Sequence, residues 1–173
     1  MAGTTTAWIG LGSNLDDPRT QVRAAVVALR ETDGLQVEAV SSLYSSPPMG
    51  PPDQPDFINA VMRVTTALGA EPLLDVLLAQ EQAQARRRGR RWGPRTLDLD
   101  LLLFGDAVVR TERLQVPHPG IHERAFVLYP LAELAPGLQV PGMGSLQELL
   151  FACPAGGLQR LRTDGTTVAV ADG

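Results

Sequence analysis

The chain has 173 residues, 44% of them hydrophobic, and a formal net charge of −4 from 15 basic and 19 acidic side chains. That length suits one domain with a real core, while the absence of any membrane-length apolar run or signal-like N-terminus leads us to expect a soluble, cytoplasmic protein with no membrane partner. A lone Cys153 excludes an internal disulfide, and because every basic residue is arginine, no P-loop lysine, Schiff-base lysine or lysine base is available.

In chain order, residues 5–11 read as a first strand, with Gly10, Gly12, Ser13 and Asn14 marking its exit. GLGSN lacks full dinucleotide-loop spacing and reads as a strand-to-helix turn. From 18 to 30, Val22, Ala25, Val26 and Leu29 recur at helical spacing, with Asp16 and Asp17 placed to cap the N-terminus. Residues 35–44 alternate as a second strand. The loop SSPPMGPPDQPD, with five prolines, follows as the lid or wall of a site, or as a connector.

A third strand, 57–66, alternates Ile58, Ala60, Met62 and Val64 against Phe57, Asn59, Val61 and Arg63. The amide of Asn59 can bond a planar heterocycle or the nearby loop. Glu71 and Pro72 open a second helix that runs to about Ala85. The order strand, helix, strand, strand, helix, strand predicts an α+β, ferredoxin-like split βαβ fold: an antiparallel sheet with both helices on one face.

Chemistry concentrates in RWGPRTLDLDLLLFGD, residues 91–106. On a strand, Asp98 and Asp100 share a face while Leu97, Leu99, Leu101 and Leu103 take the other, with the two Cα atoms roughly 6 to 7 Å apart. The unbroken apolar run behind the acids predicts a central strand buried on both faces. Crowded carboxylates titrate abnormally or share cations. Hard oxygens suit Mg²⁺, and two such ions would clamp a displacement at phosphorus. Arg86, Arg87, Arg88, Arg90, Arg91 and Arg95 around Trp92 match a polyphosphate, although the first three also suit a helix C-terminus.

Further on, His118 lies between two prolines that would hold it extended to contact an anion. Zinc at His118 and His122 is disfavoured because Cys153 is the only thiol. Residues 128–134 and 145–150 read as apolar packing segments, and Asp164-Gly165 as the turn of a terminal hairpin without chemistry.

Two other functions use the same residues. A single-strand nucleic-acid module would use the arginines and Trp92, against which stand the net negative charge and the single aromatic. A different Mg²⁺ enzyme, such as a nucleotide hydrolase, would use the same acid pair.

RWGPRTLDLDLLLFGD closely resembles the signature of the 6-hydroxymethyl-7,8-dihydropterin pyrophosphokinases, and IGLGSNL, SSPPMGPPDQPDFINA and VPHPGIHERAF extend the resemblance over residues 5–134. It implies a pterin pyrophosphokinase domain over residues 1–155, with a tail at 156–173, acting as a monomer on small molecules and not on nucleic acid. The implied reaction moves the terminal diphosphate of ATP to the pterin hydroxymethyl group. By resemblance, Asp98 and Asp100 hold two Mg²⁺ ions, and Arg86, Arg88, Arg91, Trp92 and Arg95 form a mobile catalytic loop. Glu81, Leu101, Arg113 and His118 fall on the ATP side. Phe57 and Phe126 would stack on the pterin, Asn59 would hydrogen-bond it, and the loop from Pro47 to Met49 would offer backbone contacts. The mobile loop is one residue shorter than in some members, Ala85 stands where glycine is common, and Pro119 stands where an aromatic can follow the histidine.

Overall fold

The computed structural model describes residues 3–15, 17–48, 55–87 and 97–171. Strand β1 (Thr5–Ser13) leads to helix α1 (Pro18–Arg30), then β2 (Leu35–Val40), β3 (Tyr44–Ser46) and β4 (Phe57–Thr66). Helix α2 (Ala70–Arg87) and β5 (Asp98–Phe104) complete the expected order. β5, β1 and β4 are antiparallel neighbours, and β2 and β3 both pair with β4, which is the ferredoxin-like arrangement.

Helices α1 and α2 cover one face. Val22, Ala25 and Leu29 of α1 and Leu73 and Leu77 of α2 pack on Ile9, Leu11, Ala60, Met62 and Val64. The opposite face is covered by α3 (Ala125–Leu134) and α4 (Leu146–Ala152), whose Leu128, Leu131, Leu146 and Leu150 pack on Trp8, Val61, Leu102 and Leu103. The two apolar segments of the C-terminal half are therefore the helices that seal the second face.

Three expectations change. β1 does not end at the glycines: Gly10 and Gly12 lie inside it, paired with Val61 and Asn59 on one side and with Asp100 and Asp98 on the other. The expected second strand breaks between β2 and β3, where side chains take part of the backbone hydrogen bonding. Ser41 Oγ accepts from Val61 N at 2.9 Å, and Glu133 on α3 accepts from Ser42 N at 2.8 Å.

β5 is not central. It is the last strand of the sheet, and its outer edge is covered where His118 N donates to Leu102 O at 2.9 Å. A register shift against β1 also reverses one side chain. Trp8 pairs with Leu103 but Ile9 with Leu101, so Leu102 and Leu103 both join the second cluster. His118 is held along the outer edge of β5 by its bond to Leu102 O. It follows a cis Val116–Pro117 bond and opens a turn closed by Ile121 N to His118 O at 3.1 Å.

A short hairpin, β6 (Val109–Arg110) with β7 (Gln115–Val116), follows β5, and β8 (Gln139–Val140) pairs with β9 (Gly144–Ser145) ahead of α4. The C-terminal residues do form a hairpin, β10 (Gln159–Leu161) with β11 (Thr167–Ala169). It is joined to the main sheet, since β10 pairs with β3.

One carboxylate ties the second helix layer to the sheet. Glu133 accepts from Tyr44 Oη at 2.6 Å and from both the backbone N and Oγ of Ser42. Burial of Tyr44, and then this hydrogen bond, push its phenol well above the ordinary tyrosine value, so it stays a donor. Glu133→Ala should cost about 1 to 2 kcal/mol and Tyr44→Phe about half as much. Urea denaturation checks both values, and a Tyr44→Phe loss as large as that of Glu133→Ala would mean that the Ser42 bonds contribute nothing.

Candidate functional site

Alternate positions of β1, β4 and β5 face the same way, so Gly12 lies between Asn59 and Asp98, and Gly10 between Val61 and Asp100. Two glycines in adjacent rows leave a trough in a sheet that is otherwise packed. A Cβ at Gly12 would come within 3.2 Å of Asn59 Oδ1, and one at Gly10 would come within 3.4 Å of Leu102. The trough opens into a cavity of about 180 Å³, walled by Pro47, Phe57, Phe126, Val127 and Arg124 and floored by Asn59, Asp98 and Asp100.

Each wall has a local cause. Asn59 is buried, and its Nδ2 donates to Ser46 Oγ at 2.8 Å, which fixes the amide plane and pins the last residue of β3 where the proline loop departs. This bond goes to a hydroxyl and not to the loop backbone. Arg124 precedes α3 and stands with its guanidinium 5.8 Å from the Phe126 ring centre, and its Nη1 lies 3.8 Å from Asp100 Oδ2. The cleft is thus apolar and aromatic at one end and acidic at the other.

His118 belongs to the acidic end. Its Nδ1 accepts from Gly120 N at 3.1 Å, which leaves Nε2 to carry the proton of the neutral ring. Burial lowers its pKa below the ordinary histidine value, with Arg124 adding to the effect and Asp100 opposing it. Burial and nearby Glu123 also raise the Cys153 thiol, so this cysteine is not an activated nucleophile.

Among the described residues, the other expected site residues lie apart from the cleft lining. Glu81 is buried on α2, and its Oε2 accepts from Leu99 N at 2.7 Å, on the backbone between the two aspartates. The Leu101 side chain is buried in the first core cluster, so only its backbone is available to a ligand. Arg113, in the β6–β7 hairpin, is ion-paired with Asp75 and lies 3.8 Å from Glu71, both near the start of α2. Arg86 falls in the last turn of α2, but its side chain lies outside the described residues, as do Met49, Arg88, Arg91, Trp92 and Arg95.

Gly10, Gly12, Ser46 and Arg124 were not singled out as site residues. The signal for the glycines was present as a period-two Gly-x-Gly matching the period of Asp-x-Asp, but it needed the strand pairing to be seen. Arg124 and Ser46 carry no such pattern.

The donor set fits magnesium. Among the described residues no group of three or more His, Cys, Asp or Glu forms a closed metal cage. Two half-buried carboxylates on the floor of an open cleft suit an ion that keeps water and phosphate oxygens in its other positions. Among the described residues, no helix is long and apolar enough to cross a membrane.

Comparison with known proteins agrees with this geometry. Residues 8–136 match the family model of 7,8-dihydro-6-hydroxymethylpterin-pyrophosphokinase. The chain is 52% identical over 154 residues to the Pseudomonas aeruginosa 2-amino-4-hydroxy-6-hydroxymethyldihydropteridine pyrophosphokinase, covering 89% of this chain and 95% of that one. It is 46% identical over 145 residues to the Haemophilus influenzae protein of the same name, covering 84% and 91%. In fold it is similar to the wild-type Plasmodium falciparum HPPK-DHPS crystallised with pteroate, with a TM-score of 0.65 at 13% identity over 85% of this chain. It spans 42% of that longer chain. By the extent of the family match and the identity to full-length relatives, this chain belongs to the 7,8-dihydro-6-hydroxymethylpterin-pyrophosphokinase family.

Proposed function

We propose that the protein transfers diphosphate from ATP to 6-hydroxymethyl-7,8-dihydropterin, giving AMP and the dihydropterin diphosphate, a step of folate biosynthesis. The observation that carries the reading is a single cleft whose aromatic end, with Phe57, Phe126 and Asn59, adjoins the paired carboxylates of Asp98 and Asp100. A flat heterocycle and a polyphosphate would meet at that junction. The names of its relatives support the same chemistry.

In this mechanism the pterin ring stacks against Phe57 and Phe126, and Asn59 supplies in-plane hydrogen bonding from an amide already oriented by Ser46. The hydroxymethyl oxygen then attacks the β-phosphorus of ATP as the bond from that phosphorus to the α-side bridging oxygen breaks. AMP leaves with that oxygen, and the hydroxyl proton is lost to water or phosphate. Phosphoryl-type transfer needs mostly alignment and charge stabilisation, and the Cys153 thiol, raised by burial, is not an activated nucleophile.

Asp98 and Asp100 would hold two Mg²⁺ ions, which neutralise charge on the phosphates when bound. Glu81 keeps the acid-bearing strand in place through Leu99 N. His118, neutral and next to Asp100, offers an Nε2–H donor to a phosphate oxygen. Arg86, Arg88, Arg91, Trp92 and Arg95 would close over the triphosphate, as the family resemblance implies. Arg113 would have to exchange Asp75 and Glu71 for nucleotide phosphate to act on the ATP side. The protein would act on these small molecules as a cytoplasmic monomer, and sedimentation of the purified protein would test the oligomeric state.

The deciding assay is incubation with ATP, Mg²⁺ and the hydroxymethyl dihydropterin, followed by separation of nucleotides. AMP formed only with pterin present is the expected result, whereas ADP would make the protein an ordinary kinase. Asp98→Ala and Asp100→Ala should each lower kcat by about a thousandfold or more while leaving the metal-free melting temperature nearly unchanged. A large fall in that temperature would mark the acids as structural. Gly12→Ala places a methyl on the cleft floor 3.2 Å from Asn59 Oδ1. It should raise the pterin KM by about tenfold and leave the ATP KM alone, and an equal rise in both would place pterin elsewhere.

A further inference from the structure

The C-terminal segment, which carries no chemistry of its own, touches both walls of the pterin end of the cleft. Pro47 and Phe126 line the 180 Å³ cavity on one side and a second cavity of about 250 Å³ on the other, so each wall is a single side chain thick. Residues 154–158 stand behind them. Ala155 and Leu158 form a small buried cluster with Tyr44, against which Phe126 packs. Gly157 lies so close to the other wall that a Cβ there would meet Pro47 Cγ at 3.3 Å.

The same segment is anchored to the sheet on the strand that leads into the proline loop. Gln159 and Arg160 pair with Ser45 and Tyr44, and Leu161 N donates to Leu43 O at 2.8 Å. The hairpin closes on itself, with Val170 N donating to Leu158 O at 3.0 Å. Ser46, the next residue of β3, is the acceptor for Asn59. The position of Pro47 is therefore bounded on one side by β3 and on the other by the tail.

We propose that the C-terminal segment acts as a positioning element for the pterin subsite: Gly157 sets the depth of the Pro47 wall, and Ala155 with Leu158 backs Phe126. This rests on the assignment of the cleft's aromatic end to the pterin. A wall shifted by a fraction of an ångström changes the fit of a planar ring sandwiched between Phe57 and Phe126, and the acids at the other end of the cleft do not feel it.

Adjacent glycines supply the test. Gly156 and Gly157 both have positive φ, +60° and +86°, so alanine strains the backbone at either position. Only at Gly157 does the added methyl meet the pterin wall, because the nearest atom to a Cβ at Gly156 is Pro154 O at 3.8 Å. The full-length protein and both alanine variants would be titrated with a non-hydrolysable ATP analogue and Mg²⁺, and then with hydroxymethyl dihydropterin at saturating analogue. These titrations are run below the melting temperature of each variant.

Gly157→Ala should weaken pterin binding by about tenfold with analogue affinity unchanged, and Gly156→Ala should leave both unchanged. In the Pro47→Ala background, which removes the contacted ring atoms, Gly157→Ala should weaken pterin binding by less than about twofold, showing that the two positions act through one contact. Equal losses at Gly156 and Gly157, a parallel loss of analogue affinity, or full pterin affinity in Gly157→Ala would overturn the positioning role while leaving the function intact. Absence of pterin binding by the unaltered protein would overturn both.

Discussion

The site depends on one constraint, the register of three antiparallel strands. Because β1 pairs with β4 and β5 so that Gly12 stands between Asn59 and Asp98, and Gly10 between Val61 and Asp100, the missing side chains of one strand become the binding volume for the polar groups of the other two. A slip of one residue would turn Asp98 and Asp100 into the α1/α2 core and raise Leu99 and Leu101 into the cleft. Burial of Leu99 and Leu101 against that core opposes such a slip, so the packing that stabilises the fold also aims the acids.

Register alone does not hold a site open, since an apolar trough in a sheet tends to collapse or fill. Polar pins in and around the cleft oppose this. Asn59 to Ser46 fixes the floor against β3, Glu81 to Leu99 N fixes the acid strand against α2, and Glu133 ties α3 to Ser42 and Tyr44. Each joins a different pair of elements, and each uses a carboxylate or amide whose partner would otherwise be left short of a hydrogen bond. The bulge in β5 has a complementary effect: it turns Leu103 as well as Leu102 toward α3, which seals the second face directly behind the two aspartates.

Local pattern made much of this legible. Period-two alternation located β4 and the acid face of β5, helical spacing located α1 and α2, and the element order was enough for the sheet. What pattern could not carry was anything decided between distant strands. Gly10 and Gly12 looked like a turn because glycine is the usual turn residue, and only the pairing on both sides reveals them as strand. β5 looked central because its apolar run is uninterrupted, whereas its edge is protected by His118 N and by the β6–β7 hairpin, segments with no strand signature of their own. The break after β2 came from Glu133, about ninety residues away, and the tail was legible as a hairpin but not as a neighbour of Pro47.

Charge at the acidic end follows from the same geometry. Two carboxylates share one wall with a single described guanidinium, that of Arg124, 3.8 Å from Asp100 and also drawn to the Phe126 ring. His118 is kept toward its neutral form mainly by burial, so it does not add a second cation that would compete with a metal for the acids. Among the described residues the balance there is negative, while the chain as a whole carries a formal net charge of −4. Because the chain has no lysine, no flexible ammonium group is available at this end of the cleft, and side-chain cations there are confined to arginine and histidine.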